Sequence, residues 1–196
     1  MSEVTAQKEA LRRQLRLAVA GLSPAERSMT AAAVVQRITT EARWQRARTV
    51  LLFVPLTDEV DVFPLLNQAL AHRKVVMLPR FNGQAGAYEA ARISNLATDI
   101  VPGRFGVPEP AAACAVCPLN QLDVTLVPGL GFDRVGRRLG RGKGFYDRLL
   151  KGASGEFWGI GHDCQLVAEL PGESHDVVLN CIVTPAHWME VVSARR

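Results

Sequence analysis

Long apolar runs are missing from this sequence. No stretch approaches the roughly 18 consecutive apolar residues that a membrane-spanning helix needs. The charged N-terminal segment MSEVTAQKEALRRQLR also lacks the apolar core of a secretory signal. These absences argue against a membrane partner and predict a cytoplasmic location. The 196 residues are 48% hydrophobic and 21% charged, a composition typical of a globular protein that buries a substantial core.

Cysteine is also scarce. Cys114 and Cys117 form a C-x-x-C pair, whereas Cys164 and Cys181 stand far apart in the chain. A structural zinc site needs a second pair of ligands at similarly close spacing. A redox pair needs a helix terminus or a cation that lowers a thiol pKa, and the segment around this pair is rich in Ala and bounded by Pro. We therefore expect reduced thiols and no zinc site.

The excess of positive charge is small but concentrated. Lys and Arg outnumber Asp and Glu by 23 to 19, which suits an anionic partner without implying nucleic acid. Seven of the cations are Arg134, Arg137, Arg138, Arg141, Lys143, Arg148 and Lys151. Glycines separate them, an apolar run precedes them, and a helical pattern follows. Because backbone N–H groups in such a strand–loop–helix segment point outward, the segment predicts a polyphosphate-binding loop.

Two common nucleotide motifs are absent from this loop. Lys143 is followed by Gly144, which breaks the Walker A pattern, and the glycine spacing does not fit the dinucleotide fingerprint. What remains is L-G-R-G-K-G-F-Y-D at 139–147, whose alternating glycines let the backbone approach a bulky anion. Arg141 can contact two phosphate oxygens at once, and Lys143 adds a mobile charge.

Asp147 is the lone acid among these cations. It either pairs with Arg148 or Lys143, or holds Mg²⁺ on the phosphates together with Asp163 or Asp176. A nucleic-acid surface is the competing hypothesis for the loop. We favour it less, because such surfaces spread their cations over a face and interleave them with aromatic residues.

Strands and helices alternate along the chain. Buried strands are predicted at 49–54, 74–78, 123–128, 157–161 and 177–184, and shorter ones at 88–93 and 189–192. Helices are predicted at 5–20, from Pro24 to about Ala42 with Ser23 and Glu26 as a capping box, at 63–72, and from Phe145. Residues 102–118 read as a long surface crossing and 166–170 as a short helix or turn. The pattern predicts a single α/β domain over 1–196: a mostly parallel sheet flanked by helices in a Rossmann-like three-layer arrangement, with an N-terminal helical hairpin over the site.

Ligands of such sheets bind at the carboxyl ends of the strands. Glu59 lies just past the first strand, and Arg80 lies past the second. Lys8 and Arg12 share one face of the first helix, where spacing alone favours a solvated basic face.

The strings P-G-L-G-F-D at 128–133 and R-L-G-R-G-K-G-F-Y-D at 138–147 resemble the signature of the 5-formyltetrahydrofolate cyclo-ligase family. The resemblance extends over nearly the whole chain, through Lys8, Arg12, Glu59 and the pair His175-Asp176. It implies an ATP- and Mg²⁺-dependent enzyme that cyclises 5-formyltetrahydrofolate to 5,10-methenyltetrahydrofolate and releases ADP and phosphate. It also implies a small-molecule substrate, no nucleic acid and a monomer.

The resemblance assigns roles to individual residues. The residues implied to bind ATP are Lys8, Arg12, Arg138, Leu139, Gly140, Arg141, Gly142, Lys143, Gly144, Phe145 and Tyr146, with Arg141 and Lys143 as the catalytic cations. The implied folate contacts are Phe53, Val54, Glu59, Arg141 and Phe145, and the implied metal ligands are Asp147 and Asp176.

Three positions depart from the family pattern: Phe145 stands where Tyr is frequent, Val62 where Thr is usual, and Asn180 where Asp is common. Two alternatives to the cyclo-ligase stay open. One is a paralogue of the same fold that binds folate or nucleotide without cyclisation, and the other is a basic nucleic-acid-binding module.

Overall fold

The structure, a computed structural model, describes residues 3–172 and 176–191, without the side chain of Phe105. The helices are α1 (Glu3–Ala20), α2 (Pro24–Thr40), α3 (Ala42–Arg46), α4 (Phe63–Ala71), α5 (Leu96–Asp99) and α6 (Phe145–Lys151). Short 3₁₀ turns lie at Arg104–Gly106, Leu119–Gln121 and Asp163–Gln165. The strands are β1 (Thr49–Leu51), β2 (Val75–Asn82), β3 (Ala87–Ile93), β4 (Ile100–Pro102), β5 (Pro108–Pro110), β6 (Val116–Cys117), β7 (Val124–Pro128), β8 (Gly131–Asp133), β9 (Arg138–Leu139), β10 (Glu156–Ile160), β11 (Leu166–Val167), β12 (Cys181–Val183) and β13 (Trp188–Glu190).

The main sheet has eight strands in the described part of the chain, in the order β13-β12-β10-β7-β1-β2-β3-β6. The strands from β12 to β2 in this order all pair in parallel. The neighbours at the two edges, β13 on one side and β3 with β6 on the other, pair antiparallel. The arrangement confirms the predicted α/β class with a mostly parallel sheet.

Strand β1 lies between β2 and β7. The chain leaves β1 and returns through α4 to β2 on one side, whereas β7 and the later strands lie on the other side. A sheet whose strand order changes direction in this way opens a crevice outside the carboxyl ends of the two strands concerned. The carboxyl ends of β1 and β7 therefore mark the place where a ligand is expected.

Helices cover both faces of the sheet. Val50 and Leu52 pack with Ile38 of α2 and Leu66 of α4 on one face. Leu51, between them in sequence, packs on the other face together with residues such as Met77 and Leu149 of α6. Alternating residues of β1 thus enter two separate cores, which is why the strand reads as a continuous apolar run. The predicted three-layer arrangement follows from this double burial.

The N-terminal hairpin begins its second helix as predicted. Ser23 Oγ accepts from the backbone N–H of Glu26 at 3.2 Å, and Glu26 Oε2 accepts from the backbone N–H of Ser23 at 2.7 Å. The predicted end of this helix at about Ala42 is wrong, because Glu41 adopts an extended conformation and accepts from Arg43 N to begin α3.

Several strand boundaries also differ from the prediction. The first strand ends at Leu51 and the last parallel one covers only Cys181–Val183, whereas the second extends to Asn82 and pairs with β3 as a hairpin. The segment 166–170 is not helical: the turn precedes it, and Leu166–Val167 pairs with β8. The crossing at 102–118 includes a β4–β5 hairpin and β6. Residue 192, predicted to end the last strand, lies outside the described residues.

The two cysteines of the C-x-x-C pair pack against different core clusters. Cys114 contacts the cluster that contains Val50, and Cys117 contacts the one that contains Leu51. All four cysteines are free thiols. Over residues 3–172 and 176–191, no helix combines the length and apolar character needed to cross a bilayer.

Gly155 provides a test of how the turn before β10 is built. Its φ is +80°, and a Cβ atom at this position would lie 2.3 Å from Leu122 O. We expect Gly155→Ala to destabilise the fold by about 2 kcal/mol or more, which lowers the thermal midpoint by about 4–8 °C. The control is Gly83→Ala in an open turn, where a Cβ would meet nothing within 4 Å. Equal midpoints for the two variants in thermal denaturation would contradict the prediction.

Candidate active site

A cavity of about 680 Å³ opens at the carboxyl ends of β1, β2 and β7. Its volume is within the range of small-molecule sites. All of the residues that the sequence analysis assigned to nucleotide, folate or metal line this cavity. The other lining residues are Thr5, Leu56, Leu78, Pro79, Tyr88, Val107, Pro108, Pro128 and Gly129. The cavity therefore lies at the change of strand order, as the sheet topology requires.

The glycine loop forms one wall of the cavity. Strand β9 supplies Arg138 and Leu139, and Gly144 begins α6. Gly142 and Gly144 have φ values of +94° and +63°, which residues with a Cβ rarely adopt. At Gly142 an added Cβ would approach the Arg12 guanidinium to 3.4 Å. Glycine is therefore favoured here by the positive φ angles of the turn, and the Arg12 side chain packs directly over Gly142.

Helix α1 docks onto this loop from a distant part of the sequence. Arg12 Nε donates to Gly140 O at 3.0 Å, and Lys8 Nζ lies 3.8 Å from Asp176 Oδ2. The Lys8 side chain is only 14% exposed. The solvated basic face that spacing favoured is therefore wrong: both cations turn into the cavity, the placement that the family resemblance implied.

Arg27 fastens the helical hairpin to the neighbouring loop. Its guanidinium donates to Val19 O at 2.6 Å near the end of α1 and to Thr57 O at 2.7 Å in the loop after β1. The same loop carries Asp58 and Glu59. The position of α1 is thus linked to the segment that forms the opposite wall of the cavity.

Asp147 pairs with a cation that the sequence analysis did not consider. Arg138 Nη2 donates to Asp147 Oδ1 at 2.6 Å, and the Arg138 side chain is only 6% exposed. Arg148 instead lies over the Phe145 ring and donates to Lys143 O at 3.4 Å. The alternative in which Asp147 pairs with Arg148 or Lys143 is therefore wrong, because Arg138 occupies Asp147 and α6 turns Arg148 toward the Phe145 ring.

Arg141 joins the two walls of the cavity. Its Nη2 atom donates to Asp58 Oδ1 and, at 3.1 Å, to Glu59 Oε1. Glu59 Oε2 accepts from Leu56 N at 3.0 Å. Burial raises the pKa of Glu59 above its ordinary value, although Leu56 and Arg141 oppose the rise. Burial acts in the same direction on Asp58, but the hydrogen bond and charge of Arg141 outweigh it and lower the pKa.

The rings of Tyr88 and Phe145 line one end of the cavity, and Phe81 packs against both. Phe81, Tyr88 and Phe145 pack edge to face, with centroids 5.1–5.5 Å apart. Burial raises the pKa of Tyr88 to about 12, and Glu109 adds to the shift. The Tyr88 hydroxyl is therefore protonated at neutral pH. The sequence analysis missed Tyr88, although a β2–β3 hairpin that pairs Phe81 with Tyr88 would have placed it here.

The concentrated cations divide into two groups. Arg138, Arg141 and Lys143 line the cavity, whereas Arg134, Arg137, Arg148 and Lys151 do not. Arg137, for example, donates to Leu170 O at 3.1 Å and contacts Glu169. The loop is also more structured than its glycine content suggests, because buried Asp133 accepts backbone N–H groups from both Val135 and Leu170.

Of the three residues that depart from the family pattern, one lines the cavity and two do not. Phe145 lines the cavity. Val62 is fully buried in the core beside α4, and Asn180 caps the start of β10 by accepting from Phe157 N at 2.7 Å. Asp163, considered as a second metal carboxylate, instead accepts from Ala186 N away from the cavity. His175 lies outside the described residues.

Two carboxylates on the cavity wall have the donor chemistry that a hard metal ion requires. Asp147 and Asp176 both line the cavity, and Asp147 Oδ2 has no hydrogen-bond donor among the described residues. Those residues contain no group of three or more His, Cys, Asp or Glu suited to a metal ion. Mg²⁺ bound to nucleotide phosphates needs only one or two carboxylates, so this pair fits such an ion.

The sequence and the fold match known proteins over most of their length. The profile of the 5-formyltetrahydrofolate cyclo-ligase family matches residues 4–185. The 5-formyltetrahydrofolate cyclo-ligase of Escherichia coli (strain K12) is 35% identical over 153 residues, which cover 74% of this chain and 81% of that protein. The enzyme of the same name from Haemophilus influenzae is 28% identical over 179 residues, covering 89% and 96% of the two chains.

A solved structure has the same fold. The 5,10-methenyltetrahydrofolate synthetase of Aquifex aeolicus superposes with a TM-score of 0.86 at 29% identity, covering 96% of this chain and 95% of its own. The signature strings, the parallel sheet, the cavity at its strand ends and these matches agree, and the chain belongs to the 5-formyltetrahydrofolate cyclo-ligase family.

Proposed function

We propose that the protein converts 5-formyltetrahydrofolate to 5,10-methenyltetrahydrofolate with consumption of ATP. One observation carries the proposal: the cationic glycine loop and the buried acid Glu59 line the same cavity, and Arg141 of the loop donates to Glu59. Such a cavity has complementary groups for a triphosphate on one wall and for a folate ring on the other. The family membership supplies the reaction.

The nucleotide wall consists of α1 and the glycine loop. Lys8 and Arg12 approach from α1, and Arg141 and Lys143 from the loop. The Lys143 side chain is exposed to the cavity and makes no hydrogen bond to any described residue. A mobile cation of this kind can follow the phosphoryl group as its charge moves.

The folate wall consists of the residues after β1 and the aromatic end. Glu59 presents a desolvated carboxylate that is suited to the N–H donors of the pterin ring, and it is only 10% exposed. Phe53 and Val54 line the wall beside it, and Phe145 contributes its ring. A carboxylate in such a site discriminates strongly against ligands that lack the matching donors.

The chemistry follows from the poor leaving-group character of the formyl amide oxygen. That oxygen attacks the γ-phosphorus, the bond from this phosphorus to the β,γ-bridging oxygen breaks, and ADP leaves. The N10 nitrogen of the folate then attacks the activated carbon, loses its proton, and phosphate departs as the ring closes. The protein contributes positioning and charge neutralisation, which Arg141 and Lys143 supply.

Asp147 and Asp176 are the residues that would hold Mg²⁺. When bound, the ion supplies neutralisation of triphosphate charge. Arg138 orients the Asp147 carboxylate through Oδ1, and Lys8 approaches Asp176. Placement in the cytoplasm and a monomeric state are part of the same proposal.

A nucleic-acid surface is less well supported. The loop cations nearest to each other in sequence are divided between the cavity and the outer surface. The aromatic rings of Phe81, Tyr88 and Phe145 pack against one another, so they do not form an open stacking surface.

Product formation tests the proposal directly. With ATP, Mg²⁺ and 5-formyltetrahydrofolate, we expect the absorbance of the methenyl product to appear, and to be absent without ATP. Lys143→Ala is expected to lower kcat/KM by about 10²-fold or more, because a transition-state cation is lost. Its thermal midpoint should equal that of the parent. Nucleotide binding without product would favour the non-cyclising paralogue, and tight salt-sensitive RNA or DNA binding would favour the third hypothesis.

The metal assignment is tested by titration. Asp147→Asn is expected to raise the Mg²⁺ concentration for half-maximal activity by at least about tenfold, the lower limit for changes near a metal ion. Asp163→Asn is the matched control, since Asp163 accepts a backbone N–H outside the cavity. An unchanged Mg²⁺ titration for Asp147→Asn would remove this residue from the metal site.

The burial of Glu59 predicts how the stability of the protein depends on pH. Burial raises the pKa of Glu59 in the folded state above its value in the unfolded state. The folded protein therefore loses stability as the pH rises from the unfolded-state pKa through the folded-state pKa, because the ionised carboxylate is costly to bury. Glu59→Gln should therefore abolish most activity yet melt at a higher temperature than the parent at pH 7. The difference should vanish below about pH 4, where Glu is protonated in both states. Thermal melts between roughly pH 3 and pH 8 measure the difference, and a less stable variant at pH 7 would refute the prediction.

A further inference from the structure

Arg141 is shared by two carboxylates. The Nη2 atom alone serves both Asp58 and Glu59, which lie 83 and 82 positions away in sequence. The Nε and Nη1 donors have no acceptor among the described residues. One cation thus stands between two acids, and the group as a whole has an excess of negative charge.

The two acids differ in their surroundings. Glu59 lines the cavity, whereas Asp58 does not, and the Asp58 side chain is 28% exposed. Arg141 lowers the pKa of Asp58 in spite of burial, so Asp58 is ionised at neutral pH. Asp58 therefore remains paired with Arg141 when a ligand binds at Glu59.

We propose that Asp58 and Glu59 compete with the nucleotide phosphates for Arg141, and that folate binding at Glu59 removes one of the two competitors. The inference rests on the proposed function, which assigns Glu59 to the folate and Arg141 to the phosphates. It adds two properties. The two substrates bind cooperatively through a shared side chain, and Asp58 sets the affinity for nucleotide although it does not line the cavity.

The direction of the effect follows from charge. A phosphate that approaches the empty site meets a guanidinium already opposed by two carboxylates, and must displace or share at least one of them. When N–H donors of the folate ring engage Glu59, its negative charge is compensated by the ligand. Arg141 then faces only Asp58 and can present its remaining donors to phosphate oxygens.

Thermodynamic linkage makes this coupling reciprocal. If folate tightens nucleotide binding by some factor, nucleotide must tighten folate binding by the same factor. Couplings between sites typically amount to about 5- to 150-fold, and we expect about tenfold here because one of two competing carboxylates is removed. Agreement of the two factors shows that the measured effect is an equilibrium property.

The test is calorimetric binding of a non-hydrolysable ATP analogue with Mg²⁺, with and without saturating 5-formyltetrahydrofolate. The parent should bind the analogue about tenfold more tightly when folate is present. Arg141→Gln should bind both ligands more weakly and show a coupling factor near one, because the shared cation is gone. Asp58→Asn should bind the analogue several-fold more tightly than the parent in the absence of folate.

A matched control lies in the same loop. Asp61→Asn removes an acid that does not line the cavity and that accepts from Phe63 N at 2.9 Å, a bond that Asn can also make. Its nucleotide affinity should equal that of the parent. Thermal melts of all variants verify that each is folded at the binding temperature.

The inference is overturned if the parent shows no coupling, if Arg141→Gln retains it, or if Asp58→Asn binds the analogue less tightly than the parent. Failure of the proposed function has a different result. In that case the parent forms no methenyl product. A parent that turns over but shows no coupling would therefore refute the inference alone.

Discussion

The whole site depends on the pairing of β1 with β7. Because β2 and β7 lie on opposite sides of β1, the loops that leave β1 and β7 diverge and open a crevice. The loop after β1 brings Glu59 to one side, and the segment after β7 brings the glycine loop to the other. Glu59 and the cations of the glycine loop are placed by these two strand ends, and α1 adds Lys8 and Arg12 from a distant part of the sequence. An exchange in strand order would separate the walls even if each loop kept its own conformation.

The conformation of the glycine loop is restricted by contacts on both sides of it. Arg12 of α1 donates to Gly140 O, Asp133 closes the preceding turn, and Arg138 of β9 pairs with Asp147 in the first turn of α6. Glycine supplies the necessary backbone angles, but glycine alone would leave the segment free to adopt many conformations. The surrounding contacts restrict it to one conformation in which the cations of the cavity wall converge.

The fold was predictable from the sequence because its signals are local. A strand such as β1, buried on both faces, must be apolar throughout, and a capping box such as that of Ser23 marks a helix start. The end of α2 at Thr40 was not predictable, since residues on both sides of Glu41 suit a helix.

The site residues likewise include some that the sequence predicts and some that it does not. The cations around Arg141 were predictable because they are close together in the sequence, and the family resemblance supplied roles for Lys8 and Glu59. The partner of Asp147 and the contribution of Tyr88 depend on how distant segments pack, and no local pattern encodes that packing.

The docking of α1 has a consequence for biosynthesis. This helix is made more than a hundred residues before Gly140, which accepts from Arg12. Its Leu11 and Leu15 must therefore wait for Leu139 and Leu170, with which they pack, while the chain elongates. The completed site is therefore a late product of folding, and a nascent chain has an exposed apolar stripe that other hydrophobic surfaces can contact.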